Sequence, residues 1–104
     1  MKVAICDDEL SHCGTLERYL MKISEKYINL TVDIDVYQSG EEMLRVIETE
    51  KARPQILFLD MEMDGMNGIE TARKLRDRDR SMLIIYVTSY DKYTMGSVEV
   101  CPFR

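Results

Sequence analysis

Asp7, Asp8 and Glu9 follow the apolar run Val3–Cys6 without interruption, and a further acid, Asp60, ends the apolar run ILFLD. Crowded carboxylates raise one another's pKa unless a counter-charge is present. Nothing basic stands close to Asp7–Glu9 in sequence to supply one. A divalent cation would, and all-oxygen ligands select Mg²⁺, Mn²⁺ or Ca²⁺ over softer metals. Mg²⁺ is satisfied by one or two carboxylates, a carbonyl and waters, and it favours sites that also receive phosphate. A carboxylate beside such an ion can accept a phosphoryl group as an acyl phosphate. A nearby hydroxyl such as that of Thr88 could then bond the phosphoryl oxygens. The plainer reading is that Asp8 and Glu9 cap the following helix and favour its dipole, and that Asp60 forms a turn. Capping alone does not explain an acid ending the most apolar strand at the same sheet edge.

These residues need elements that bring them together. Val3–Cys6 reads as a short strand. Leu10, Cys13, Leu16, Leu20, Ile23 and Tyr27 then recur at helical spacing and form one face of a long helix. Thr31–Tyr37 alternates with period two, the pattern of a half-exposed edge strand. Ser39 and Glu42 are spaced as a capping box ahead of Met43, Leu44 and Ile47. QILFLD is apolar on both faces and so central. DGMNG is a turn, Asn67 can cap a helix burying Ile69, Ala72 and Leu75, and Met82–Thr88 is a second strand apolar on both faces. SYDKYTMGSVEV is weakly helical, and a fifth strand would start at CPFR.

Alternating strands and helices with doubly buried strands specify a parallel sheet covered on both faces. Ligands of such sheets bind beyond the carboxyl ends of the strands, where strand order reverses. In the flavodoxin-like order 2-1-3-4-5, strands one, three and four are neighbours. Asp7 and Asp8, Asp60 and Thr88 then converge on one edge.

Composition narrows the function classes. The 104 residues, 45% hydrophobic and 32% charged, suit one globular domain over 1–104. No apolar run approaches the roughly 20 residues that span a membrane, and the start reaches acids too soon for a signal peptide. The net charge of −5 and the acids interrupting the basic stretch Arg73–Arg80 argue against nucleic-acid binding by this chain alone. Cys6, Cys13 and Cys101 have no metal spacing and read as reduced thiols of a cytoplasmic protein.

CDDE, FLDMEMDGMNGIE and VTSY, in this order and spacing, resemble the receiver domain of two-component response regulators over essentially the whole chain. The resemblance implies a phosphorylation-dependent signalling switch rather than a metabolic enzyme. It implies Asp60 as phosphoacceptor, Asp7 and Asp8 as the acidic pair around Mg²⁺ (Mn²⁺ as substitute) with Asp60 as a further ligand, and Thr88 as the phosphoryl-sensing hydroxyl. Glu62 would offer its main-chain carbonyl to the metal, and Gly68 matches the glycine opening the helix after the phosphorylation loop. A histidine kinase is the implied phosphoryl donor, and other receiver subunits are implied partners. DMEMDGMNGIE with SVEVCPFR looks most like receivers joined to a LytTR-type DNA-binding domain. DNA would then be reached only through that domain.

Two departures stand out. Many receivers carry Pro four residues after the phosphoacceptor, where this chain has Asp64. The family's completed fifth strand, its Lys–Pro pair and its last helix would lie past Arg104, so the expected receiver is C-terminally truncated and lacks the Lys that pairs with the phosphoryl group. Met82–Thr88 would then expose an unpaired edge and the sheet a bare face, favouring self-association or marginal stability. The rivals are a stand-alone receiver, a degenerate receiver fragment that only binds a partner, and an aspartyl-phosphate phosphohydrolase. The last usually wants a second Asp where Glu62 stands. His12 lies on the first helix beside the acid cluster and reads as a surface residue rather than a catalytic group. Met61, Met63 and Met66 read as packing, or else as a soft interaction surface. Tyr86 reads as packing, while Tyr90 and Tyr93 are open between packing and a partner surface.

Overall fold

The computed structural model describes the backbone of residues 1–27, 29–50, 53–63, 65–89 and 98–103, and the side chains of these apart from 50, 88, 89 and 98–103. The elements in chain order are β1 (Lys2–Cys6), α1 (Leu10–Glu25), β2 (Asp33–Tyr37), α2 (Gly40–Glu50), β3 (Ile56–Asp60), α3 (Gly68–Arg78), β4 (Leu83–Ser89) and β5 (Val98–Phe103). They build one sheet of order β2-β1-β3-β4-β5. The first four strands are parallel, in the flavodoxin-like arrangement expected from their apolar runs.

The fifth strand departs from that expectation. Val98–Phe103 pairs antiparallel to β4, with Ile85 opposite Pro102. A parallel return needs a crossover of a dozen or more residues, and only residues 90–97 separate the two strands. Reversal is the connection this length allows. The SVEV segment expected to be helical therefore contributes residues 98–100 to a strand. The β4 edge expected to be bare is paired along Ile84–Ser89. Pro102, which has no N–H to donate, is tolerated because β5 is the edge.

Right-handed crossovers decide which helix covers which face. The step from β1 to β2 runs opposite to the later steps, so α1 lies on one face and α2 and α3 on the other. The α2–α3 side holds the main core, in which Ala4, Cys6, Leu57, Leu59, Ile84 and Tyr86 meet Met43, Leu44, Ile47, Ala72 and Leu75. Each fully buried Leu or Ile there contributes about 1.5–3 kcal/mol relative to exposure. Met63 joins this core, Met61 and Met66 pack against it, and Tyr86 is buried in it, so the packing reading of these side chains holds. Tyr90 and Tyr93 lie outside the described residues.

The α1 side is thinner. Val3, Ile5 and Cys13 are buried, but Leu10, Ile23 and Tyr27 of the expected apolar face are exposed, as is Leu83 of β4. Spacing was a sound guide to the helix, but among the described residues no second helix covers that half of the sheet. Ile69, expected to be buried, is also exposed, because it stands in the first turn of α3 ahead of the buried positions Thr71, Ala72 and Leu75. The expected Asn67 cap forms, and Ser39 makes its half of the expected capping box. Ser39 Oγ accepts from the Glu42 amide at 3.1 Å, and Asn67 Oδ1 accepts from the Glu70 amide at 2.9 Å, satisfying orphan donors of α2 and α3.

Candidate functional site

Register brings the acids together. Cys6 stands opposite Leu59 in the β1–β3 pairing, so Asp7 and Asp60 emerge side by side at the carboxyl end of adjacent strands. Asp60 is opposite Val87 in the β3–β4 pairing, which puts Thr88 one residue further along β4, at the same edge. Asp7, Asp8 and Asp60 each offer a carboxylate oxygen, all lying within 4.8 Å of one another.

Asp7 and Asp60 are each held by the backbone amide two residues on. The Asp7 amide donates to the Tyr37 carbonyl at 3.0 Å, tying the start of the loop to β2. Asp7 Oδ1 accepts from the Glu9 amide at 2.9 Å, and Asp60 Oδ1 accepts from the Glu62 amide at 3.2 Å. Glu62 itself is exposed, with its backbone against the Asp60 carboxylate. Glu9 is the extended N-cap residue of α1 and makes no side-chain cap bond, so capping does not account for its carboxylate. Asp64 lies outside the described residues.

The electrostatics follow from this crowding. Burial first, then the neighbouring charge of Asp7, push the Asp60 carboxyl up from 3.8 to about 7, against the lowering effect of the Glu62 amide. A hydrogen bond with Asp7 and the charge of Asp8 act in the same raising direction. Burial and the charge of Asp7 also raise both nearby thiols, Cys13 to about 11 and Cys6 further still. Cys6 Sγ lies 3.8 Å from Met63 Sδ and Cys13 Sγ bonds the Asp7 carbonyl at 3.6 Å, so both are protonated packing groups. The donor set at this edge is therefore all oxygen, and it fits a hard divalent cation.

The loop behind Asp60 is fixed by contacts that sequence spacing does not reveal. The Gly68 amide donates to the Met61 carbonyl at 3.1 Å. Gly65 has φ of 77°, a conformation other residues adopt only with strain, and it sits against the Glu41 carboxylate. Glu41, in the first turn of α2, accepts from the Met66 amide at 2.9 Å. His12, expected on the first helix beside the acid cluster, is a neighbour of the site. Its Nδ1 lies 3.2 Å from Asp7 Oδ2 and its Nε2 lies 3.3 Å from Glu9 Oε2. The sequence carries that proximity in a histidine three residues after Glu9, within one helical turn of the acids.

Comparison with known proteins gives a consistent result. The response regulator receiver domain family matches residues 3–99. Sensory transduction protein LytT of Bacillus subtilis is 27% identical over 100 residues, covering 96% of this chain and 39% of that protein. The positive alginate biosynthesis regulatory protein of Pseudomonas aeruginosa is 30% identical, covering 96% of this chain and 38% of that protein. The chain thus spans about two-fifths of the length of these curated relatives. Among solved structures, response regulator protein TrrA from Thermotoga maritima, determined in complex with Mg²⁺-BeF, is 27% identical with a TM-score of 0.70, covering 88% of this chain and 72% of that one. No helix among the described residues is long and apolar enough to cross a membrane.

Proposed function

The chain belongs to the response regulator receiver domain family, and on that basis we propose that it is a phosphorylation-dependent switch of a two-component system, with Asp60 as phosphoacceptor. Receiver domains are signalling modules, and the chemistry proposed is a single transfer to Asp60 followed by hydrolysis, which releases inorganic phosphate and regenerates the carboxylate. The observation that carries the reading is the meeting of three carboxylates from the ends of two adjacent strands within 4.8 Å. Asp7, Asp8 and Asp60 would hold Mg²⁺, with Mn²⁺ as a substitute and the Glu62 carbonyl as a further ligand. Bound there, the cation supplies the positive charge that offsets these carboxylates and the incoming phosphoryl oxygens.

In the proposed transfer, an ionised Asp60 oxygen attacks phosphorus. The bond from phosphorus to the partner kinase's imidazole nitrogen breaks, and the imidazole leaves with its electron pair. Burial and Asp7 raise the Asp60 carboxyl to about 7 in the isolated chain, so a counter-charge would increase the ionised, nucleophilic fraction at cellular pH. The Glu62 amide steadies the attacking carboxylate, and Thr88 at the end of β4 is the proposed partner of the transferred oxygens. The switch acts in the cytoplasm, and its output is a change of protein association. In a longer protein, that output would regulate transcription through a DNA-binding domain; the relatives' names speak of sensory transduction and of positive regulation of alginate biosynthesis. Pairing of β5 covers the β4 edge, so the edge strand available for association on that side of the sheet is β5.

Thermal unfolding with and without Mg²⁺ and beryllofluoride, a phosphoryl mimic, tests the reading. Saturating Mg²⁺ with beryllofluoride is expected to raise the midpoint by about 5–15 °C above Mg²⁺ alone, and Asp60→Ala is expected to abolish the increment. An unchanged wild-type midpoint would exclude the proposed switch.

A further inference from the structure

We infer that His12 is a positioning residue for Asp7, fixing the plane of that carboxylate and so setting the divalent-cation affinity of the Asp7, Asp8 and Asp60 cluster. The inference rests on the reading of that cluster as a cation site.

Asp7 is 2% exposed, so solvent does not hold its carboxylate. The terminal torsion of an aspartate is broad, and a buried carboxylate with one fixed oxygen could still rotate. Here both oxygens are engaged by the chain. Oδ1 takes the Glu9 amide at 2.9 Å, and Oδ2 faces His12 Nδ1 at 3.2 Å. The two donors approach from different directions, the first from the loop and the second from α1, and together they define the carboxylate plane. Helical side chains lean toward the N-terminus of their helix, which is why a residue in the first turn of α1 reaches back to the sheet edge.

The outer nitrogen of His12 meets a second carboxylate. The His12 side chain is about one-third exposed, and Glu9 Oε2 lies 3.3 Å from its Nε2. Glu9, His12 and Asp7 thus form a chain of contacts running from the surface to the buried carboxylate. This gives Glu9 a use that helix capping did not provide. Partners that orient metal-binding groups typically change metal affinity by about 10–100-fold when removed. His12 contacts one carboxylate of the cluster through one bond at 3.2 Å, so the lower end of that range is expected.

The test is isothermal titration of the full chain with MgCl₂ at one fixed pH, repeated with MnCl₂, on wild type, His12→Leu and His12→Asn. Leu fills the space without a donor, whereas the Asn amide nitrogen occupies the place of Nδ1. His12→Leu is expected to weaken both cations about tenfold, and His12→Asn to recover most of the loss. Midpoints of unfolding in chelator, nearly equal for the two variants, would show that the affinity difference is not general destabilisation. His12→Ala replaces the Leu variant if the latter does not fold. Wild-type affinity in the Leu variant, tighter binding there, or equal weakening in Leu and Asn would overturn the positioning role while leaving the cation site intact. No binding by wild type at millimolar Mg²⁺ or Mn²⁺ would overturn both this inference and the reading on which it rests.

Discussion

Asp60→Asn is expected to unfold about 5–10 °C above wild type at pH 8 without divalent cations. The folded chain raises the Asp60 carboxyl from 3.8 to about 7, so between those values the folded state binds more protons than the unfolded one. Stability then falls as pH rises through that window, and the loss is complete above about 7. The full shift would correspond to about 4 kcal/mol. Asp60 is only partly buried, and solvent screening reduces that to about 1–2 kcal/mol, which gives the expected midpoint change for a chain of this size. Asn keeps an acceptor for the Glu62 amide but carries no charge, so it removes the penalty and little else. The gain should shrink as pH falls through that window and vanish below about pH 3, where Asp60 is protonated in both states. Mg²⁺ should narrow it at pH 8 by stabilising wild type alone. A variant less stable than wild type at pH 8 would show that the acids are not in conflict.

Gly68→Ala is expected to cost about 2–3 kcal/mol and to weaken Mg²⁺ binding with it. A Cβ at this buried position would collide with the Asp60 carbonyl oxygen and come 2.8 Å from Met61 Cα. These are backbone atoms that cannot turn aside, and they belong to the phosphoacceptor and its neighbour. Relief of the clash has to move Asp60 or detach the start of α3, which the Gly68 amide anchors to Met61. Gly14→Ala is the matched comparison, because nothing lies within 4 Å of its added carbon in the middle of α1. That change should stabilise the chain by up to about 1 kcal/mol. Denaturant unfolding of both variants checks the contrast, and similar values for the two would contradict the close packing of α3 on the Asp60 loop.

Much of this site was legible because its determinants are local. Asp7 and Asp60 each end an apolar strand, and parallel pairing of β1 with β3 carries them to one edge with no further information needed. Ser39 and Asn67 cap helices by bonds to residues three positions away, which sequence spacing encodes directly. What was not legible depends on distant or competing terms. Glu41 holds the Met66 amide across 25 residues, and no local pattern marks that pair. The direction of β5 follows from the length of the 90–97 connection rather than from strand propensity. The apolar spacing of α1 announced a buried stripe, yet Leu10, Ile23 and Tyr27 are exposed, because burial needs a partner that helical period alone cannot supply. Sequence places His12 beside the acid cluster, but its contacts with Asp7 and Glu9 depend on side-chain direction, which spacing does not encode.

Mass spectrometry of the chain after incubation with acetyl phosphate tests the central claim most directly. With Mg²⁺, one phosphoryl group should be incorporated on Asp60, with none in chelator and none in Asp60→Asn. Absence of label on the wild-type chain with Mg²⁺, or equal label on Asp60→Asn, would contradict the assignment of Asp60 as the phosphoacceptor.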